Sequence, residues 1–238
     1  ETLSVAPLVD RRILAVHRPD DPRCEQFRAI KTNLLALDRT PSVFVIAAAS
    51  EGEGVSITCG NLAAVLAESR SQQILIVDAD LRSASPADVF GVSVREPGLA
   101  EMLKGDLEPQ AGVQTTTLSN VSYVGRGLDT RSPSGLLAST KMTELIETWR
   151  KEYDIVIFDA PPVLEYNDAV ALGQELDGLL LVVRLGTTPR RLIEATLERR
   201  QPGKFLAPFQ RCCGRIQHAA HGRRYLRPDA VARQHCYS

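Results

Sequence analysis

The stretch Val43-Phe-Val-Ile-Ala-Ala-Ala-Ser-Glu-Gly-Glu-Gly-Val-Ser-Ile-Thr58 runs from an apolar segment into a glycine-containing turn and then into a helical pattern. A strand, a tight loop and a helix N-terminus bring several backbone N–H groups around one point, where the helix dipole adds positive potential. Gly52 and Gly54 permit positive φ and a close approach of the backbone to a ligand. The stretch therefore predicts a loop that binds nucleotide phosphates. The residues assigned to this binding are Ser50, Glu51, Gly52, Glu53, Gly54, Val55, Ser56 and Ile57.

This loop departs from the pattern G-x-x-x-x-G-K-[ST] that binds ATP phosphates in P-loop proteins. Ala49 replaces its first glycine and Val55 its lysine, whereas Ser56 keeps the hydroxyl that ligates Mg²⁺. Loss of the ammonium group removes charge stabilisation of a transferring phosphoryl group, by analogy about 3 kcal/mol, or a hundredfold in rate. Backbone amides and Mg²⁺ still offer a way to bind a nucleotide. The alternative is an ordinary strand-to-helix turn that contains glycine.

Four apolar runs, rich in leucine or β-branched residues, predict strands that are buried on both faces, as in a parallel sheet covered by helices. These runs begin at Val43, Ile74, Ile155 and Leu179, and a weaker candidate covers residues 121–124. Helical patterns cover residues 23–37, 56–68, 134–149 and 190–199. The alternation indicates right-handed βαβ units and an α/β fold with a doubly wound, mostly parallel sheet.

Acidic residues follow two of these apolar runs. Asp78, Asp80 and Arg82 come at the end of the second run, and Asp159 ends the third. Because ligands of doubly wound sheets bind at the carboxyl ends of strands, we expect these acids to lie near the glycine loop. Carboxylates at a phosphate site hold Mg²⁺ and accept a proton from an attacking hydroxyl. The alternative is that they cap helices or turns, or are simply solvated.

The composition is that of an ordinary globular domain, with 44% hydrophobic and 24% charged residues. No apolar run reaches the roughly 18 residues that span a bilayer, and no signal-peptide pattern is present. Because the chain begins with Glu1 rather than Met, we expect it to be cut from a longer polypeptide that could contain membrane segments. Cys24 and Cys59 have neither disulfide nor metal spacing, which favours a reducing cytoplasm.

The two ends of the chain differ from its middle. Three prolines in residues 1–22 predict an N-terminal linker. From Arg199 onward nine Lys or Arg stand against one acid, whereas the preceding residues hold 19 bases and 28 acids. We interpret residues 201–238 as an atypical basic tail that is disordered or translated out of frame. A second interpretation is a basic arm for nucleic acid or anionic lipid.

Taken together and in this order, the motifs resemble those of the bacterial tyrosine kinases (BY-kinases) of capsule and exopolysaccharide systems, relatives of MinD- and ParA-type ATPases. The likeness covers about residues 25–199. It lies in the phosphate loop 50–56 apart from Val55, in the Asp-x-Asp-x-Arg motif of residues 78–82, and in the Asp-Ala-Pro-Pro-Val of residues 159–163. The resemblance implies a three-layer P-loop domain over residues 23–200 that binds ATP and Mg²⁺.

Individual roles also follow from this resemblance. The residue that matches Asp78 is the family's proposed base for the tyrosine hydroxyl, and those that match Ser56, Asp80 and Asp159 organise Mg²⁺. The resemblance thus places Asp78 and Asp80, together with Arg82 of the same motif, in the catalytic site.

A helix near the start of the likeness implies an assembly. Glu25, Arg28 and Lys31 resemble the family's Glu-x-x-Arg-x-x-Arg helix, which helps form rings, although a solvated helix face is the alternative. The implied partners are further copies of the chain and a membrane polysaccharide co-polymerase or activator, with no nucleic acid expected. The implied location is the cytoplasm, at the inner face of the membrane.

The implied activity is that of a protein-tyrosine autokinase that regulates polysaccharide biosynthesis and export. Because Val55 replaces the lysine, a nucleotide-binding regulatory module without efficient catalysis (a pseudokinase) is the first alternative. A MinD- or ParA-type ATPase is the second. Such ATPases carry an additional lysine early in the phosphate loop, where this chain has Ser50 and Glu51.

Overall fold

The computed structural model describes residues 9–37, 40–69, 71–83, 86–92, 96–118, 120–128, 132–173, 175–199, 205–212 and 215–218. The strands in this part of the chain are β1 (Val43–Ala48), β2 (Ile74–Asp78), β3 (Val113–Thr115), β4 (Val121–Val124), β5 (Ile155–Asp159), β6 (Gly178–Arg184), β7 (Phe205–Cys212) and β8 (Arg215–His218). The α-helices are α1 (Leu14–His17), α2 (Pro22–Leu35), α3 (Val55–Ala67), α4 (Leu99–Lys104), α5 (Pro133–Leu137), α6 (Thr140–Glu152), α7 (Asp168–Leu172) and α8 (Arg190–Arg199). Two 3-10 turns lie at Ala87–Phe90 and Pro109–Gly112.

The strands form one mixed sheet in the order β3-β4-β2-β5-β1-β6-β7-β8. The strands from β4 to β7 in this order are parallel, and β3 and β8 pair antiparallel at the two edges. Alternate residues of β1 contribute to two separate cores, with Phe44 and Ile46 on one face and Val43 and Val45 on the other. Helices cover both faces, which confirms the predicted three-layer α/β fold.

The predicted strands agree with the observed ones to within one or two residues, but one predicted helix is wrong. Residues 134–149 do not form a single helix, because α5 ends at Leu137 and α6 begins at Thr140. Ser139 between them has extended backbone angles (φ −80°, ψ 155°), and its hydroxyl accepts a hydrogen bond from the N–H of Met142. This N-cap stabilises a new helix start that hydrophobic periodicity alone does not reveal.

Residues 9–21 fall within the predicted linker, yet they pack against the domain. Val9 and Ile13 are buried in the core beneath α3. The side-chain amide of Asn61 fixes this segment, since it donates to the carbonyl of Arg12 (3.0 Å) and accepts from the N–H of Ala15 (3.2 Å). These residues of the predicted linker therefore contribute apolar side chains to the core.

At the other end, β7 and β8 lie within residues 201–238, the predicted basic tail. Tyr225 and Tyr237, the tail tyrosines, lie outside the described residues. The out-of-frame origin of this region stays a prediction. Among the described residues, no helix is both long and apolar enough to cross a bilayer.

The amino ends of β1 and β6 are joined by a polar network around Asp177. Its carboxylate accepts from the N–H groups of Ser42 (2.8 Å) and Val43 (2.9 Å) and from the guanidinium of Arg150 (2.9 Å). Burial alone would raise the pKa of Asp177, but these hydrogen bonds outweigh it and hold the pKa below its ordinary value of 3.8. The charged form of Asp177 therefore stabilises the fold.

An Asp177→Asn substitution is expected to lower the free energy of unfolding by about 2 kcal/mol at pH 7, because it removes the negative charge to which these groups donate. Since the folded pKa is depressed, the difference from wild type should be full above pH 4 and should shrink as the pH falls through the folded pKa. Thermal unfolding between pH 7 and pH 3 measures it. Glu144→Gln, which removes an exposed ion pair with Lys141, should change stability by less than about 0.5 kcal/mol. An equal loss in both variants would contradict the prediction.

Candidate active site

The predicted phosphate loop joins β1 to α3. Gly52 (φ 76°) and Gly54 (φ 92°) both adopt the left-handed conformation that residues with a Cβ rarely tolerate. Gly54 is the N-cap of α3, so the amides that follow point out of the helix N-terminus. Residues 57–67 of α3 are all buried, and this packing fixes the helix beneath the loop. The geometry is that of an anion-binding turn.

The two acidic strand ends lie side by side. Asp78 on β2 and Asp159 on β5 are register partners in the parallel sheet, and the N–H of Ala79 donates to the carbonyl of Asp159 (2.8 Å). Asp78 is fully buried and Asp159 is 3% exposed. Ser56, at the start of α3, is near enough to the Asp159 carboxylate to lower its pKa, against the larger effect of burial. The fold therefore brings the phosphate loop and both acids to one edge of the sheet.

The electrostatics of Asp159 suit a bound cation. Burial, followed by the charge of Asp78, raises the pKa of Asp159 well above its ordinary value. Its Oδ2 atom is buried without a hydrogen-bond partner among the described residues. An unpaired carboxylate oxygen beside a second acid is costly unless positive charge neutralises it.

Few protein ligands would be available to such a cation. In the described ranges, no three His, Cys, Asp or Glu residues form a ready-made metal cluster. Asp80 uses its Oδ1 to accept from the N–H groups of Arg82 and Ser83, both at 3.1 Å. Mg²⁺ fits this arrangement, because it is usually held by one or two carboxylates together with substrate phosphates and water. Ser56, Asp80 and Asp159 are the residues that could hold it.

Comparisons with known proteins agree with this geometry. Residues 42–187 match the model of a family described as an AAA domain. The tyrosine-protein kinase YwqD of Bacillus subtilis is 34% identical over 184 residues, which cover 76% of this chain and 77% of YwqD. The chain belongs to the bacterial tyrosine-protein kinase family.

Other members of the bacterial tyrosine-protein kinase family resemble the chain to a similar degree. The putative tyrosine-protein kinase EpsB of Ralstonia nicotianae is 34% identical over 191 residues, which cover 79% of this chain but 25% of EpsB. The chain thus spans about a quarter of the length of the first such relatives. The solved kinase domain of the Escherichia coli tyrosine kinase ETK superposes with a TM-score of 0.78 at 31% identity, covering 90% of this chain and 84% of that domain.

Arg82, predicted to be catalytic from the kinase-family motif, contacts residues of α5, of α7 and of the loop between β5 and α7. Its guanidinium donates to the buried carboxylate of Asp168 (2.9 Å) and to the hydroxyl of Ser134 (2.7 Å), which itself donates to Asp168 (2.7 Å). The same guanidinium lies 4.4 Å above the ring of Tyr166. These contacts tie the Asp78–Arg82 segment to α5 and α7.

Sequence reasoning missed most of this cluster. Ser134 stood only at the start of a predicted helix, and Asp168 and Tyr166 were not singled out. The available signal was the position of Asp168, an acid that follows the Asp159 motif and opens an apolar helix. Its partner Arg82 lies 86 residues away along the chain, which sequence spacing cannot reveal.

Acidic groups surround the phosphate loop of this kinase-family member. Glu53 is buried, and its carboxylate accepts from the hydroxyl of Thr188 (2.7 Å) in the loop that follows β6. Burial raises the pKa of Glu53, against the effect of that hydrogen bond. The N–H of Glu51 donates weakly to the carboxylate of Glu165 (3.4 Å). Val55 packs against the core at the position where a typical loop has its lysine.

The predicted assembly helix is α2. Arg28 forms ion pairs with Glu25 on the same helix and with Glu68 at the end of α3 (2.6 Å). The ammonium group of Lys31 donates to the carbonyl of Val65 (3.0 Å). All of these contacts lie within one chain, and the ring-forming role of the helix stays a prediction.

Proposed function

We propose that this domain binds ATP with Mg²⁺ and transfers the γ-phosphoryl group to tyrosine hydroxyls. The observation that carries the proposal is the convergence of Ser56, Asp78 and Asp159 at one edge of the sheet, where Ser56 is near Asp159 and the two acids are register partners. Family membership supports the same chemistry.

In this proposal each residue has a limited task. The amides from Gly52 to Ser56 bind phosphate oxygens, with help from the dipole of α3. Ser56, Asp80 and Asp159 hold Mg²⁺, which neutralises charge on the phosphates when bound. Asp78 accepts the proton of the tyrosine hydroxyl as that oxygen attacks the γ-phosphorus, and the bond from phosphorus to the β–γ bridging oxygen breaks to release ADP. Arg82 orders the segment that carries Asp78 and Asp80.

The biological setting is also proposed. The family resemblance favours a part in regulating polysaccharide biosynthesis and export from the inner face of the membrane. There the domain would act as a ring of copies with a co-polymerase or activator. Assembly through Glu25, Arg28 and Lys31 would have to replace the contacts that Arg28 and Lys31 make with α3.

One observation favours a second candidate, a nucleotide-binding module without efficient transfer. Residues 49–57 contain no Lys or Arg, and the carboxylates of Glu51, Glu53 and Glu165 lie on or beside the loop. Such a loop lacks the fixed positive charge that stabilises the transition state of phosphoryl transfer. Affinity for a nucleotide would then depend almost entirely on backbone amides and Mg²⁺.

Incubation with γ-labelled ATP tests the two candidates together. We expect Mg²⁺-dependent label on a tyrosine-containing peptide, and removal of Mg²⁺ by a chelator should abolish the label and weaken ATP binding at least about tenfold. Both effects are expected because, without Mg²⁺, no cation neutralises the phosphates, and the carboxylates of the site repel them. Binding without label would support the module. A chain that binds no nucleotide even with Mg²⁺ would contradict both candidates.

A further inference from the structure

A buried tyrosine lies directly behind the proposed base. Tyr123 is on β4, the strand next to β2, and pairs in register with Ile76. Its hydroxyl donates to Oδ2 of Asp78 across 3.3 Å, and both residues are fully buried. The ring packs against Phe90 with centroids 4.9 Å apart. The hydroxyl is thus held at a fixed place by a stiff, packed side chain.

Asp78 is constrained at both of its oxygens. While Tyr123 contacts Oδ2, the N–H of Asp80 donates to Oδ1 across 3.2 Å. Two donors on opposite oxygens fix the rotation of the carboxylate plane. They also leave the remaining lone pairs of the carboxylate in defined directions.

We infer that Tyr123 is a positioning residue that sets the orientation of the Asp78 carboxylate at the nucleotide site. The effect of this orientation on the rate of phosphoryl transfer rests on the proposed function. A base must present a lone pair to the attacking hydroxyl within a few tenths of an ångström, and small displacements cost large factors in rate. The contrasting explanation is a core tyrosine whose hydroxyl needs only some partner. The two explanations differ in what removal of the hydroxyl does to turnover.

Tyr123→Phe removes the hydroxyl and keeps the packed ring. We expect kcat for phosphorylation of a tyrosine-containing peptide to fall about tenfold, with KM for ATP and calorimetric nucleotide affinity changed less than twofold. The measurement is made in the native chain and in a Val55→Lys chain. Tyr153→Phe is the matched control, because Tyr153 precedes β5 at the end remote from Asp159 and packs against the other core. An unchanged kcat in Tyr123→Phe, with an active parent, would overturn the inference.

A double-mutant cycle on stability tests the contact without any activity. Tyr123→Phe, Asp78→Ala and the double variant are unfolded by denaturant, and we expect the two substitutions to be coupled about tenfold in the unfolding equilibrium constant. Additive effects would overturn the inference. If neither parent transfers phosphate, the proposed function fails, whereas the coupling separately tests the Tyr123–Asp78 hydrogen bond on which the inference depends.

Discussion

An Asp78→Asn chain is expected to phosphorylate tyrosine about a thousandfold more slowly than the wild type, within the range that a general base contributes. The amide that replaces the carboxylate has no basic lone pair of comparable strength but nearly the same shape. Its single oxygen can still accept from the N–H of Asp80, and its NH₂ group can donate to the hydroxyl oxygen of Tyr123, so the site should keep its geometry. Affinity for Mg²⁺-ADP should change less than about threefold, because Asp78 is not among the proposed metal ligands. Initial rates with a peptide acceptor and calorimetry measure the two quantities.

Asp154→Asn provides the control for this substitution. Asp154 precedes β5 at its amino end and accepts from the N–H of Gln73 (2.7 Å), so it makes a comparable backbone contact remote from the phosphate loop. The Asp154→Asn chain should phosphorylate tyrosine at the same rate as the wild type. If the native chain is too slow to measure, both substitutions are compared in the Val55→Lys chain. A full rate in Asp78→Asn would remove Asp78 from the role of base.

The strands and their carboxyl ends could be predicted from the sequence because burial on both faces leaves a direct signal. A run such as Ile74–Val77 has no alternation, and in an α/β pattern such a run indicates a central parallel strand. The position of the site follows, since parallel strands place their carboxyl ends on one edge. The observed register of Asp78 with Asp159 is a consequence of that rule.

The partners of the site residues could not be predicted in the same way. Tyr123 was noted only as part of a weak strand, and its contact with Asp78 joins residues 45 positions apart. The contacts of Glu53 with Thr188 and of Arg82 with Asp168 span 135 and 86 positions. Residue type and spacing show what chemistry a side chain offers, whereas the order of strands in the sheet decides which distant side chain it meets.

Replacing Val55 with lysine is expected to raise the rate of phosphoryl transfer about a hundredfold and ATP affinity about tenfold. An ammonium group at the start of α3 would lie beside the amides that bind phosphate and would oppose the charges of Glu51 and Glu165. One charge pair at about 4 Å contributes up to about 4 kcal/mol at an effective dielectric constant of 20. The roughly 3 kcal/mol that one transition-state donor supplies lies below that upper limit. The gain in affinity should be larger without Mg²⁺, because no other cation then neutralises the phosphates.

A Val55→Gln substitution shows whether the positive charge of the lysine or only the length of its side chain causes the gain in affinity. The glutamine side chain reaches from the loop toward the phosphates but carries no charge, so its affinity for ATP should stay within about threefold of the wild type. Calorimetry with and without Mg²⁺, on the native chain and both variants, measures the difference. Equal or weaker binding by Val55→Lys would mean that position 55 does not face the phosphates and that the register assigned to Gly52, Gly54 and Ser56 is wrong. Tighter binding by lysine alone would place the triphosphate at the N-terminus of α3, beside Asp78 and Asp159.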